Sequence, residues 1–84
     1  MTEFKTRKEI FEQLKPIISN TSGIDDISME TDLFYDLDLD SLDKVEIVME
    51  CEKEFHISIY DEEVDKVTTV EQLVDLILSK PSLI

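Results

Sequence analysis

Apolar side chains return at helical spacing in three stretches of the chain. Ile10, Phe11, Leu14, Ile17 and Ile18 make one face of a first helix, and Thr6-Arg7-Lys8-Glu9 before them matches a capping box. Pro16 lacks an N–H and crowds the carbonyl of Glu12, so this helix is expected to kink or stop nearby. Residues 19–40 then read as a long ordered loop, with Ile24, Ile27, Leu33, Phe34 and Leu37 available to pin it to a core. Loops of that length are uncommon in small domains unless they serve a function. The second helix is predicted from Ser41 to Phe55, with Asp40 as N-cap and Asp43 placing negative charge in the first turn. A short third helix is predicted over Asp61 to Lys66. The last begins at Thr68 or Thr69, where Thr68 and Glu71 form a second capping box. Val70, Leu73, Val74, Ile77 and Leu78 give its inner face, and Pro81 ends it. Only Ile57-Ser58-Ile59 alternates, which is too short for a sheet. The pattern predicts an all-α fold, a small four-helix bundle of three main helices and one short one, with residues 1–84 forming a single domain.

The second helix carries more apolar surface than one core contact needs. Residues placed 100° apart separate Ile47, Val48, Cys51 and Phe55 from a second strip of Leu42, Val45 and Met49. Asp43, Glu46 and Glu50 lie beyond that second strip, and Glu52 lies between the two. Such a strip is either a docking surface edged with carboxylates or a face covered by a flanking helix.

Composition narrows the setting. A chain of 84 residues with 42% hydrophobic side chains can build a small core, and no apolar run approaches the roughly 20 residues that span a bilayer. The N-terminal MTEFKTRKEI lacks the apolar stretch of a signal peptide. Cys51 is the only cysteine, so no internal disulfide forms. A cytoplasmic monomer without membrane insertion is expected. The net charge of −13 is concentrated, because fourteen of the 21 acidic side chains lie in residues 30–65 beside only Lys44 and Lys53. This field opposes nucleic acid and anionic membranes. It either steers the segment toward basic proteins or simply solvates one face.

Candidate chemistry centres on Ser41, which opens the second helix after the aspartate-rich run Asp36-Leu37-Asp38-Leu39-Asp40. Asp36, Asp38 and Asp40 have the i, i+2, i+4 spacing of an EF-hand calcium loop. However, the sixth position is Ser41 instead of glycine and the twelfth is Ile47 instead of glutamate. A serine hydrolase is disfavoured by the lack of a glycine-flanked nucleophile elbow. The sole histidine, His56, stands fifteen residues from Ser41, about 22 Å along a straight helix. His56 reads as a surface residue near a helix end, and Cys51 as a core filler. An acidic helical interaction module, with or without weak calcium binding, stays open on these grounds.

Asp40-Ser41-Leu42, followed by Val45-Glu46-Ile47-Val48-Met49, Glu52-Lys53-Glu54-Phe55, Ile59, Asp61-Glu62-Glu63 and Thr68-Thr69-Val70, resembles the acyl carrier proteins of dissociated (type II) fatty acid and polyketide systems. The resemblance runs without a gap from Leu33 to about Val74. It implies 4′-phosphopantetheine esterified to Ser41, with Asp40 and Leu42 flanking the attachment point, so that the loaded chain is a phosphoprotein. The arm's terminal thiol would carry acyl groups as thioesters, so the chain itself would be a carrier in lipid metabolism and not an enzyme. The resemblance also implies that Leu42, Asp43, Val45, Glu46, Met49 and Glu52 face partner enzymes. These would be a phosphopantetheinyl transferase (holo-carrier synthase), a ketosynthase, an acyltransferase and other enzymes with basic docking patches. The core strip, with Phe11, Leu14, Leu33, Val67 and Val70, would line the space into which acyl chains fold. Peptidyl and aryl carriers share arm and fold, but the acidity and the Val45–Met49 run favour an acyl carrier. Four residues depart from the pattern: Asp38 where glycine is common, Lys44 and Lys53 on a helix usually more uniformly negative, and Tyr60 in place of a frequent proline.

Overall fold

The computed structural model describes residues 6–81; the first five residues of the N-terminal stretch and residues 82–84 lie outside it. Four helices follow in order: α1 (Arg7–Ser22), α2 (Ser41–Phe55), α3 (Asp61–Asp65) and α4 (Val70–Ser79). α1 packs on both α2 and α4, and the short α3 sits against α2. Among the described residues there is no strand, only an isolated bridge between Asp32 and Thr69. The all-α bundle of three main helices and one short one is the observed fold.

The three longer helices each start where an N-cap side chain takes a free N–H of the first turn. At α1 the Thr6 hydroxyl accepts from the Glu9 N–H at 3.2 Å and Glu9 Oε1 accepts from the Thr6 N–H at 3.0 Å. Ile10, Leu14 and Ile18 are buried, and Phe11 and Ile17 pack partly against the core. The helix neither stops at Pro16 nor gives way to loop at residue 19; it continues to Ser22. Pro16 is on the exposed side, where water can take the Glu12 carbonyl that lost its partner, while Leu14 and Ile18 hold both flanks in the core. Gly23, at φ 77°, closes α1 by donating its N–H to the Ser19 carbonyl at 2.7 Å.

The connection from Gly23 to Asp40 is pinned by buried Ile27, Leu33, Leu37 and Leu39, with Ile24 and Met29 packed partly beneath it. It is also stitched to the start of α4. The Leu33 N–H donates to the Thr68 carbonyl, the Val70 N–H to the Thr31 carbonyl and the Glu71 N–H to the Met29 carbonyl, at 2.8–3.0 Å. The last capping box uses Thr69 and Gln72 instead of Thr68 and Glu71. Gln72 Oε1 accepts from the N–H groups of both Thr68 and Thr69, which frees Glu71 to pair with Arg7 at 2.8 Å across α1 and α4. α3 spans Asp61–Asp65, one residue short of the expected end, and Tyr60 precedes it as N-cap. Glu63 Oε1 accepts from the Tyr60 N–H at 3.0 Å and from Lys80 Nζ at 2.6 Å. That ammonium is the main cause of a Glu63 carboxyl held below its ordinary range.

α4 buries Val70, Leu73, Val74 and Ile77 and ends before Pro81, but Leu78 is 43% exposed. Leu78 lies about a right angle from the middle of the buried face, so it does not belong to the inner face. Leu73→Ala should therefore cost about 2–5 kcal/mol, whereas Leu78→Ala should stay within about 0.5 kcal/mol. Urea unfolding of the two variants checks this contrast.

Candidate functional site

The candidate site is the open end of α2 and the exposed face that descends from it. Asp40 Oδ1 accepts from the Asp43 N–H at 2.9 Å, and Asp43 Oδ2 accepts from the Asp40 N–H at 3.2 Å. This reciprocal pair starts the helix at Ser41, as its sequence implies. It takes the third N–H of the helix and leaves the first two, on Ser41 and Leu42, without an acceptor among the described residues. Ser41 is exposed and Leu42 is 73% exposed beside it. A hydroxyl at the rim of a helix N-terminus with two spare N–H groups suits a phosphate ester: oxygen for the bond, donors and dipole for the anion. The residues present thus fit a phosphodiester at this serine.

The loop before the serine is shaped by its aspartates. Asp32 Oδ1 accepts from the N–H groups of Phe34 and Tyr35, and Asp36 Oδ2 accepts from the Asp32 N–H at 2.7 Å. Among the described residues, no group of three or more His, Cys, Asp or Glu side chains is arranged to hold a metal. Asp38 stands at φ 55°, the left-handed conformation that glycine adopts freely and aspartate tolerates. The glycine common in the resembling sequences therefore has a backbone reason here, which the residue pattern alone did not give.

The two strips of α2 separate as their spacing requires. Ile47, Val48, Cys51 and Phe55 are buried, while Val45 and Met49 are 45% and 53% exposed. Glu46 and Glu50 are exposed around the second strip, and Asp43 is half-buried at its top. A shallow groove lined by Thr21, Glu46, Met49, Glu50 and Lys53 adjoins it. Glu52 is differently placed: it is half-buried and its Oε2 accepts from the Ile59 N–H at 2.8 Å, bracing the turn after α2. Leu14, Leu33, Val67 and Val70 are all packed in the core, with Phe11 half-buried at its edge.

Lys44, one of the two positive charges on α2, lies on the core side of the helix. It contributes no positive charge to the exposed face, being only 6% exposed. Its Nζ donates to the Val67 carbonyl at 2.9 Å and lies 4.9 Å from the centroid of the Phe34 ring. The signal was available: Lys44 precedes Ile47, Val48 and Cys51 by three, four and seven residues, which is core spacing. Lys53 is exposed, beside Glu50 at 3.7 Å, and Tyr60 is exposed with Lys80 Nζ 5.2 Å from its ring centroid. Cys51 is fully buried among the core side chains, and burial first, then the neighbouring glutamates, push its thiol up to about 12. His56 caps the far end of α2, exposed, at φ 54°.

Residues 12–77 match the family model described as a phosphopantetheine attachment site. The chain is 40% identical over 77 residues to an acyl carrier protein of Petrotoga mobilis, covering 89% of this chain and 91% of that one. It is 44% identical over 75 residues to one of Picosynechococcus sp., covering 87% and 93%. Among solved structures, the crystal structure of an acyl carrier protein from Thermotoga maritima matches with a TM-score of 0.76 and 33% identity, over 88% of each chain.

The left-handed Asp38 yields a stability test. Asp38→Val should cost about 1–2 kcal/mol, because a β-branched side chain is poorly tolerated at positive φ. Asp38→Gly should be near neutral, backbone relief offsetting unfolded-state entropy. Thermal unfolding of both variants reads the difference.

Proposed function

The chain belongs to the acyl carrier proteins, in the phosphopantetheine attachment family, and from that membership we propose that Ser41 carries the 4′-phosphopantetheine arm. The observation that carries this reading is the exposed Ser41 at the first position of α2, with two spare backbone N–H groups beside it. In the loading reaction the Ser41 Oγ forms a bond to phosphorus and gives up its proton, while coenzyme A loses its adenosine bisphosphate portion. Once attached, the arm supplies a thiol that holds acyl groups as thioesters. Asp40 keeps the helix end capped and Leu42 is exposed beside the attachment point. The chain needs no catalytic group of its own; it presents, it does not react. We take residues 1–84 as one carrier domain that works in the cytoplasm. No helix among the described residues is long and apolar enough to cross a membrane.

The partners we propose are a phosphopantetheinyl transferase and the enzymes of fatty acid or related synthesis that read the same face. Leu42, Val45 and Met49 supply the apolar contact, and Asp43 and Glu46 with neighbouring carboxylates supply the attraction for basic surfaces. Glu52 sits at the edge of this face, one oxygen already committed to Ile59. Contacts of this kind bind briefly, which suits a carrier that must leave each enzyme.

Incubation with coenzyme A and a broad-specificity transferase should add one phosphopantetheine, located by peptide mass spectrometry to the segment containing Ser41. Ser41→Ala should abolish loading while lowering stability by less than about 1 kcal/mol, since Asp40 provides the cap. An unmodified chain under conditions that load a known carrier would overturn the assignment.

Steering and burial separate kinetically on the docking face. Glu46→Lys should slow association with the transferase and flatten its salt dependence, leaving the melting temperature unchanged. Met49→Ala should instead speed dissociation, at a cost on the order of 1–2 kcal/mol. Glu52→Lys should lower the melting temperature as well, because the brace on Ile59 is lost. Surface plasmon resonance and thermal melts of the three variants distinguish these outcomes.

A further inference from the structure

Lys44 is the only charged side chain among the described buried residues, and no ion pair accounts for it. Among those residues, no carboxylate stands within ion-pair distance of its Nζ. Its partners are neutral: the Val67 carbonyl and the face of Phe34. A buried ammonium held only by neutral groups is costly. It also lies in the first turns of α2, where the helix field disfavours a cation.

An anion attached at Ser41 changes that balance. Ser41 precedes Lys44 by three residues, so their Cβ atoms are roughly 5–6 Å apart on adjoining positions of the helix. Helical side chains lean toward the N-terminus, which carries the lysine stem in the direction of Ser41. A flexible four-carbon stem with three rotatable donors can serve either the Val67 carbonyl or a phosphate oxygen. We propose that Lys44 is the countercharge of the phosphodiester on Ser41, and that it leaves the Val67 carbonyl for that phosphate when the arm is attached. The loading state of the serine is thereby transmitted to the α3–α4 connection.

The connection is built to respond locally. Thr68 on the far side of Val67 stays fixed, its N–H on Gln72 Oε1 and its carbonyl receiving the Leu33 N–H. The five-residue α3 is tethered at its start by the Lys80–Glu63 pair. Release of the Val67 carbonyl therefore loosens only the exit of α3, the part of the connection that packs toward α2. This inference rests on attachment at Ser41, and its test separates the two.

Isotope-labelled wild-type protein is loaded from coenzyme A, and intact mass confirms the gain of one phosphopantetheine. Nuclear magnetic resonance then compares the Val67 carbonyl carbon and the Lys44 ε-methylene protons, next to the Nζ that lies 4.9 Å from the Phe34 ring centroid, before and after loading. Both signals should move. In Lys44→Met the Val67 carbonyl should already resemble that of the loaded wild type and should not respond to loading. Lys44→Arg should restore the response. A loaded wild-type chain whose Val67 and Lys44 signals are unchanged overturns the proposal, as does a Lys44→Met chain that responds like wild type. Should Lys44→Met fail to fold, the wild-type pair decides alone. Absence of any mass gain overturns the attachment at Ser41 instead.

Discussion

Three backbone hydrogen bonds between the Met29–Leu33 segment and the start of α4 hold the long connection in place, and the open end of α2 depends on them. A connection of this length without helix would otherwise sample many conformations at a substantial entropic cost. Leu33 makes the point most directly: its side chain is fully buried, its N–H reaches Thr68 and its carbonyl accepts from Leu39. Leu39 is then one residue from Asp40, whose carboxylate begins the helix that presents Ser41. Core packing, loop and Ser41 form one continuous chain of constraints.

Much of this was legible because the signals were local. α2 runs over the expected residues, since Asp40 with Asp43 marks its start and the core spacing of Ile47, Val48, Cys51 and Phe55 carries it to its end. Thr6 with Glu9 marks the start of α1 in the same way. The errors arose where tertiary contacts decide. Pro16 reads as a kink or a stop, and the helix does not stop there, because helix propensity yields to the burial of Leu14 and Ile18 on either side. Thr68 and Thr69 are both capable caps, and the choice went to Thr69 because Thr68 lends its carbonyl to Leu33 and Glu71 pairs with Arg7. The burial of Lys44 is a different case: its charge says nothing of its place on the wheel, which is on the buried strip.

The acidity of the central segment also resolves into distinct jobs. Asp32, Asp36, Asp40 and Asp43 spend carboxylate oxygens on backbone N–H groups around the serine. Glu52 and Glu63 do the same at the turn after α2 and at the start of α3. Glu46 remains exposed beside the apolar strip. A net charge alone cannot distinguish these uses, because a carboxylate that orders backbone and one that meets a partner look identical in composition.

The burial of Cys51 has a consequence for thioester chemistry. A carrier holding an activated acyl group must not offer that group a rival sulfur of its own. The Cys51 side chain is sealed within the bundle, and its thiolate is disfavoured at any physiological pH by a value pushed to about 12. The protein can thus keep a cysteine as packing material while remaining silent toward transthioesterification and mixed-disulfide formation. Its cargo has only one sulfur to sit on, and that sulfur belongs to the arm.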